Sequence, residues 1–197
     1  MSAAHTVKVD VAIFGGGVAG LWTLARLRNE GYNAVLFENN SLGGGQTRYA
    51  QGIILGGTKY ALTGKLTASS EAISEMPSFW RACLEGQGEL VLSRVKLMSE
   101  HQYMWSTPSL LSRLSGFFTS RIVRGRMVAM KKNDYPEVFQ NKQFKGKVYQ
   151  LDEPVLDAST LIKALATPNM NNIMQIKVEP DFSGNKFTVE DAGGECW

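Results

Sequence analysis

Cysteine and histidine are scarce in this chain of 197 residues, with two of each: Cys83, Cys196, His5 and His101. They form no metal-ligand spacing, so no metal is expected, and two cysteines make no disulfide framework. They read as free thiols in a reducing compartment. Long hydrophobic runs are also missing. No apolar stretch approaches the roughly 20 residues of a membrane span, and Met1 to Lys8 has no hydrophobic signal core, so the expected location is cytoplasmic. Charge of one sign is missing as well. A net charge of +3 is too small to argue nucleic-acid binding. What remains is an ordinary globular composition, 44% hydrophobic, in a chain long enough to bury a real core.

Glycine, by contrast, is placed with purpose. Val7, Val9, Val11, Ile13 and Phe14 read as a strand that runs into Gly15-Gly16-Gly17-Val18-Ala19-Gly20, and an amphipathic helix continues to about Asn29. Gly31 stands at a helix C-cap, and Asn33 to Phe37 form a second strand that delivers Glu38 at its end. Gly15, Gly17 and Gly20 fit G-x-G-x-x-G in its strand–turn–helix context, with an acid 18 residues beyond Gly20. Gly15 permits the sharp turn, Gly17 allows close backbone approach to a pyrophosphate, and Gly20 lets the helix pack close to the sheet. Val18 and Ala19 open the helix, whose N-terminus favours an anion. Glu38 would accept hydrogen bonds from ribose hydroxyls and disfavour a 2′-phosphate, so NADP is not expected. The stretch is a dinucleotide-binding fingerprint.

A second glycine cluster follows the acid at once. In Ser41-Leu42-Gly43-Gly44-Gly45-Gln46-Thr47, backbone amides and the Thr47 hydroxyl can reach a second part of a long cofactor, which suits an extended flavin dinucleotide; a plain surface loop is the alternative. Together with the first loop and Glu38, the run Gln46-Thr47-Arg48-Tyr49-Ala50-Gln51-Gly52-Ile53-Ile54-Leu55-Gly56-Gly57-Thr58-Lys59-Tyr60 resembles the D-amino-acid oxidase-like (DAO) superfamily of FAD-dependent oxidoreductases. Its second motif is most similar to the glycerol-3-phosphate dehydrogenase and 2-hydroxyglutarate oxidase branch.

The resemblance implies an α/β fold: a Rossmann-like FAD-binding domain with a parallel sheet, plus part of an α+β substrate domain. It implies FAD as cofactor. The glycine loop, Glu38 and Asn39 would hold the ADP portion, and Gly45, Gln46 and Thr47 the pyrophosphate side. Gln51, Gly52 and Ile53 would run beside the flavin ring, with Val178 near the adenine. Leu55 departs from the branch, which commonly carries a histidine there, so no histidine-dependent role transfers. Arg48, Tyr49 and Tyr60 are candidates for the flavin-proximal pocket, with a purely structural role as the alternative; the catalytic residue itself is not identified.

Beyond the motifs, Ala72, Ile73, Met76, Phe79, Trp80, Cys83 and Leu84 recur at helical intervals, with Pro77 expected to break Thr67–Leu84 into two helices. Leu90 to Trp105 suits strands, and Ser109 to Phe118 a short amphipathic helix. Val148 to Leu151 reads as a strand, followed by a helix through Ala166 capped by Asp157. Ile173 to Val178 and Lys186 to Glu190 read as two further strands joined by a turn. The expected division is residues 1–88 for the first part of the FAD-binding domain, 89–152 for a substrate-domain segment, and 153–197 for a truncated return to the first.

Nine Lys/Arg stand against two Asp/Glu between Arg113 and Lys147, a local excess of +7 that leaves the rest of the chain at −4. Such a segment could attract an anionic substrate or touch an anionic membrane surface peripherally, or simply be a solvated basic face. The aromatic residues interleaved with it suit core positions, so nucleic acid is not expected as a partner. A small-molecule substrate is. Relatives in the superfamily continue for roughly another domain's worth of chain. The resemblance therefore implies an N-terminal portion, or a short form that self-associates or takes a complementing C-terminal half. The competing reading is a non-catalytic FAD- or ADP-binding or interaction module.

Overall fold

A computed structural model describes residues 8–57, 73–107 and 127–176. Tyr60, Val178, the segment Ser109–Phe118 and the strand expected at Lys186–Glu190 lie outside the described residues. By packing, the chain forms two compact units, one of residues 1–50, 84–96 and 158–197 and the other of residues 51–83 and 97–157.

The first unit is built on a parallel sheet of β1 (Val11–Phe14), β2 (Ala34–Glu38) and β8 (Ile173–Gln175), with β2 in the centre. Val11 pairs with Ala34 and Phe14 with Phe37, while Leu36 pairs with Ile173. Every residue of β2 is buried, as a strand enclosed on both faces requires. Val35 and Phe37 join Ile176, Val9 and Ala12 in an apolar cluster, and the alternate residues Ala34 and Leu36 point the other way. Helix α1 (Val18–Asn29) buries Leu21, Leu24 and Ala25, one stripe at i, i+3 and i+4. Its end is a Schellman motif: Gly31, at φ +88°, donates to the Arg28 carbonyl, and the Tyr32 amide donates to the Leu27 carbonyl. Helix α4 (Ala158–Ala166) starts directly after Asp157, as expected, and packs on α1 with Leu161, Leu165 and Ala166 buried.

The second unit has an antiparallel sheet in the order β4 (Gln102–Ser106), β6 (Lys147–Leu151), β5 (Met127–Ala129), and a short pair of β3 (Leu97–Ser99) with β7 (Val155–Leu156). Helix α3 (Met76–Leu84) is tied to this unit by Arg81, whose guanidinium donates to Glu100 Oε2 at 3.0 Å and to Asp152 Oδ1 at 2.6 Å. Gly52, Ile53 and Ile54 run antiparallel to Pro154–Leu156. The Leu156 amide donates to the Gly52 carbonyl, the Ile54 amide to the Pro154 carbonyl, and the buried Glu153 accepts from the Gly56 amide at 2.9 Å.

Pro77 is the second residue of α3, a position whose missing N–H costs nothing, and a 3₁₀ turn at Ile73–Glu75 precedes it; residues 67–72, where the preceding helix is expected, lie outside the described residues. One local expectation changes. Residues 90–96 are not strand. Leu90, Leu92 and Val95 are buried, but the two-residue alternation fails between Leu92 and Val95, where the Val95 amide turns back onto the Leu92 carbonyl. Strands begin only at Leu97.

Tyr149, on the packed face of β6, is only 2% exposed, and burial pushes its phenol above the ordinary 10.0; Tyr135 adds to the effect and Ser106 opposes it. Below pH 10 the group is neutral in both folded and unfolded chains and contributes no pH dependence. Above it the unfolded chain releases this proton while the folded chain retains it, so stability falls as pH rises. Tyr149→Phe should therefore flatten the alkaline limb of a Tm-versus-pH curve. An unchanged limb would show that Tyr149 is not the group responsible.

Candidate cofactor-binding site

The sharp exit from β1 is made by Gly15, whose φ of +104° excludes most side chains. Its amide donates to the Phe37 carbonyl, which fixes the turn to β2. A methyl on Gly15 would meet no protein atom within 4 Å, so this side of the turn is open. Gly17 is the N-cap of α1, and Val18, Ala19 and Gly20 form its first turn. A Cβ on Gly20 would lie 2.0 Å from the Gly15 carbonyl oxygen and 3.4 Å from Leu36 Cδ1, so only glycine lets the helix sit this close to the loop and sheet.

Glu38 ends β2 with its carboxylate turned toward the glycine loop, 9% exposed. Oε2 accepts from the Gly16 amide at 2.5 Å and Oε1 from the Asn40 amide at 2.8 Å. Each oxygen thus uses one acceptor position on the backbone and keeps another. Asn39 follows, exposed.

The second glycine cluster is fastened to the first. The Gly43 amide donates to the Gly16 carbonyl, and Thr47 Oγ1 accepts from the Val18 amide at 3.0 Å, capping α1 in place of the glycine N-cap, which has no side chain. Gly45 is the exposed N-cap of the single-turn helix α2 (Gln46–Tyr49), and a Cβ there would meet nothing within 4 Å. Gln46, Arg48 and Tyr49 are exposed on that turn, Tyr49 at 81%.

One unit therefore brings together Gly15, Gly17, Val18, Ala19, Gly20, Glu38, Asn39, Gly45, Gln46 and Thr47. Gln51, Gly52 and Ile53 belong to the other unit. There Gly52 has a φ of +70°, and a Cβ on it would collide with the Leu156 carbonyl.

Three residues that matter were not singled out from sequence. Gly16 is buried under Glu38 and Leu42, and a Cβ would come within 2.5 Å of Leu42 Cδ2 and 3.1 Å of Glu38 Oε2. Asn40 holds the acid through its amide. Gly43, at φ +68°, faces Ile162 at a distance no side chain would tolerate. A third consecutive glycine in the first loop was the available signal for Gly16; the Asn40 role is a local turn two residues beyond the acid, and that of Gly43 depends on a tertiary contact with Ile162.

Among the described residues no group of three or more His, Cys, Asp or Glu could hold a metal ion, and no helix is long and apolar enough to cross a membrane.

A parallel βαβ unit with a glycine turn at the helix N-terminus and an inward-facing acid at the end of the second strand defines a dinucleotide-binding α/β domain. The comparisons narrow this class. The chain matches the DAO family, FAD dependent oxidoreductase, over residues 10–170. It is 52% identical over 162 residues to the probable FAD-dependent oxidoreductase PA4991 of Pseudomonas aeruginosa, an alignment covering 82% of this chain and 41% of that protein. The crystal structure of PA4991 superposes with a TM-score of 0.73 at 38% identity, covering 98% of this chain and 46% of that one.

Glycine oxidase from Geobacillus kaustophilus (TM-score 0.70, 18% identity, 96% and 53% of the two chains) and L-α-glycerophosphate oxidase from Mycoplasma pneumoniae with FAD bound (0.60, 15%, 96% and 51%) share the fold. The chain belongs to the DAO family of FAD-dependent oxidoreductases. It spans less than half the length of its Pseudomonas relative.

FAD is the cofactor of this family, and the residues present fit it. The open sides of Gly15 and Gly45 leave space free of protein atoms beside the helix N-terminus, and the Glu38 carboxylate keeps acceptor positions suited to hydroxyls rather than to a phosphate.

Proposed function

We propose that the chain carries the ADP-binding side of an FAD-dependent oxidase or dehydrogenase acting on a CH–OH or CH–NH centre of a small, anionic substrate. The observation that carries this reading is the Glu38 carboxylate, anchored by the Gly16 and Asn40 amides beside the glycine turn. Bound flavin would supply the hydride acceptor. The chain's own part is to bind and orient. Glu38 accepts hydrogen bonds from the ribose hydroxyls, the Gly15–Gly20 turn admits the pyrophosphate, and Gly45 to Thr47 flank its other side. Gln51 to Ile53 are assigned to the ring side and Asn39 to the adenosine end. Arg48, Tyr49 and Tyr60 are assigned to the pocket near the ring, where a cation would hold an anionic substrate. The branch nearest glycerol-3-phosphate dehydrogenase and 2-hydroxyglutarate oxidase is the part of the family whose substrates we would test first.

A second reading is a flavin-binding module without turnover, favoured by the exposure of Arg48 and Tyr49. Purified protein separates the two. Bound flavin should give it yellow absorbance bands. FAD at about a hundred times its Kd should add about 2.7 kcal/mol, a rise in Tm of about 5–10 °C for a chain of this size. Bleaching of the flavin by hydroxy acids, glycerol phosphate or amino acids would identify the donor. Flavin binding without bleaching by any of them would favour the module, and colourless protein with an unmoved Tm would overturn both.

A further inference from the structure

Strand pairing gives the antiparallel sheet of the second unit two unlike faces. Met104, Met127, Tyr149 and Leu151 close one of them. On the other, Tyr103, Gln150 and Val128 stand side by side across β4, β6 and β5, with Trp105 one pleat further along β4. Tyr103 is 40% exposed, Trp105 55% and Val128 59%, an unusual concentration of bare apolar surface on three short strands.

The connection from β5 to β6 folds beside Trp105. Phe139 and Phe144 pack with ring centres 5.2 Å apart and each lies 6.4 Å from the Trp105 ring; Tyr135 stands 6.1 Å from Phe144 and accepts a hydrogen bond from the Val148 amide. Lys131, Lys132, Lys142, Lys145 and Lys147 are all exposed on this connection and its ends. Among the described residues none of these five lysines is in an ion pair, although Asp134 and Glu137 lie in the same segment. Five lysines against two acids leave residues 131–147 a net charge of +3, and the aromatic packing fixes the segment that bears it.

We propose that this face docks the protein on an anionic lipid surface. The charge is the first reason: five exposed lysines stand against two acids on the connection from β5 to β6, and a layer of anionic headgroups complements such a cluster. The bare side chains are the second, because Trp and Tyr favour the headgroup level, one end apolar and the other wet. Base stacking is disfavoured by the geometry, since the Phe139 and Phe144 rings are engaged with each other and with Trp105. The attachment lies on the surface rather than spanning it, which a sheet face with a basic margin allows.

Flotation of the purified chain with phosphatidylcholine vesicles, with and without phosphatidylserine, tests this. Binding should be about tenfold stronger to the anionic vesicles and should fall as salt rises. Replacing Lys131, Lys132 and Lys142 together by Glu should abolish flotation without moving Tm, since all three are exposed. Tyr103→Ser with Val128→Ser should weaken flotation while leaving the charge intact. Equal or absent flotation on both lipids at low salt, or a lysine variant that floats like the parent, would overturn the proposal. So would capture of single-stranded RNA without any flotation.

Discussion

Glu38→Ala should weaken FAD by about tenfold or more for each ribose hydrogen bond lost. Hydrogen bonds to a charged group contribute about 1.5–3 kcal/mol each, and about 1.4 kcal/mol is a factor of ten in Kd. The substitution also removes the acceptor for the Gly16 and Asn40 amides, at 2.5 and 2.8 Å, so the glycine turn loses its anchor to the strand end. Glu38→Gln separates the two effects. It retains shape and one acceptor oxygen but presents an amide group where a carboxylate oxygen stood, so it should fall between parent and Ala in FAD affinity. Titration of the apoprotein with FAD, read by quenching of flavin fluorescence and paired with Tm of the flavin-free protein, gives both quantities. An Ala variant that binds FAD as the parent does would remove Glu38 from the site.

Gly20→Ala should be the most damaging single methyl in the first unit. Its Cβ would lie 2.0 Å from a backbone oxygen, that of Gly15, and neither the turn nor the helix can yield by rotating a side chain. The helix must retreat from β2, where Leu36 already stands 3.4 Å from the same point. Overpacking of this kind costs about 1–3 kcal/mol, or about 2–12 °C in Tm for a chain of this length, and it displaces the glycine turn. Gly17→Ala is the contrast. There the nearest atom is the Thr47 hydroxyl at 3.3 Å and the backbone is extended, so Tm should move less than for Gly20→Ala while FAD binding still suffers. If the two variants lose equal stability, the close packing of Gly20 is not what the motif's last glycine provides.

Much of the first unit was legible because its signals are local. An apolar strand, three spaced glycines, an i, i+3, i+4 stripe and a terminal glycine each act within a few residues, and α1, its Gly31 end and the two strands follow from them. Glu38 was legible for the same reason. Gly16 and Gly43 were not, because what constrains them comes from elsewhere: the acid 22 residues on, or Ile162 more than a hundred residues away. Asn40 acts locally but through its backbone amide, which any residue type except proline supplies, so its side chain carries no signal. Local pattern also misled at Leu90–Val95. Three buried aliphatics resembled a strand, but they anchor a turn whose backbone bonds to itself. Pro77 stands in the first turn of α3, the position that its fixed φ and missing N–H suit.

The pairing of Leu36 with Ile173 has a consequence for how the protein is made. The central strand of the cofactor unit is complete within the first 38 residues, yet one of its edges is filled only by a strand that begins at Ile173, and the intervening chain contributes the whole of residues 97–157 to a different unit. During synthesis β2 must therefore wait, with one row of amides and carbonyls unpaired, until the chain has been extended past Ile176, whose amide donates to the Glu38 carbonyl. Closing so long a loop is entropically costly and slow. Carried to the ribosome, this means that the backbone edge of β2 is completed late, whereas the groups that anchor the Glu38 carboxylate, the Gly16 and Asn40 amides, are translated with it.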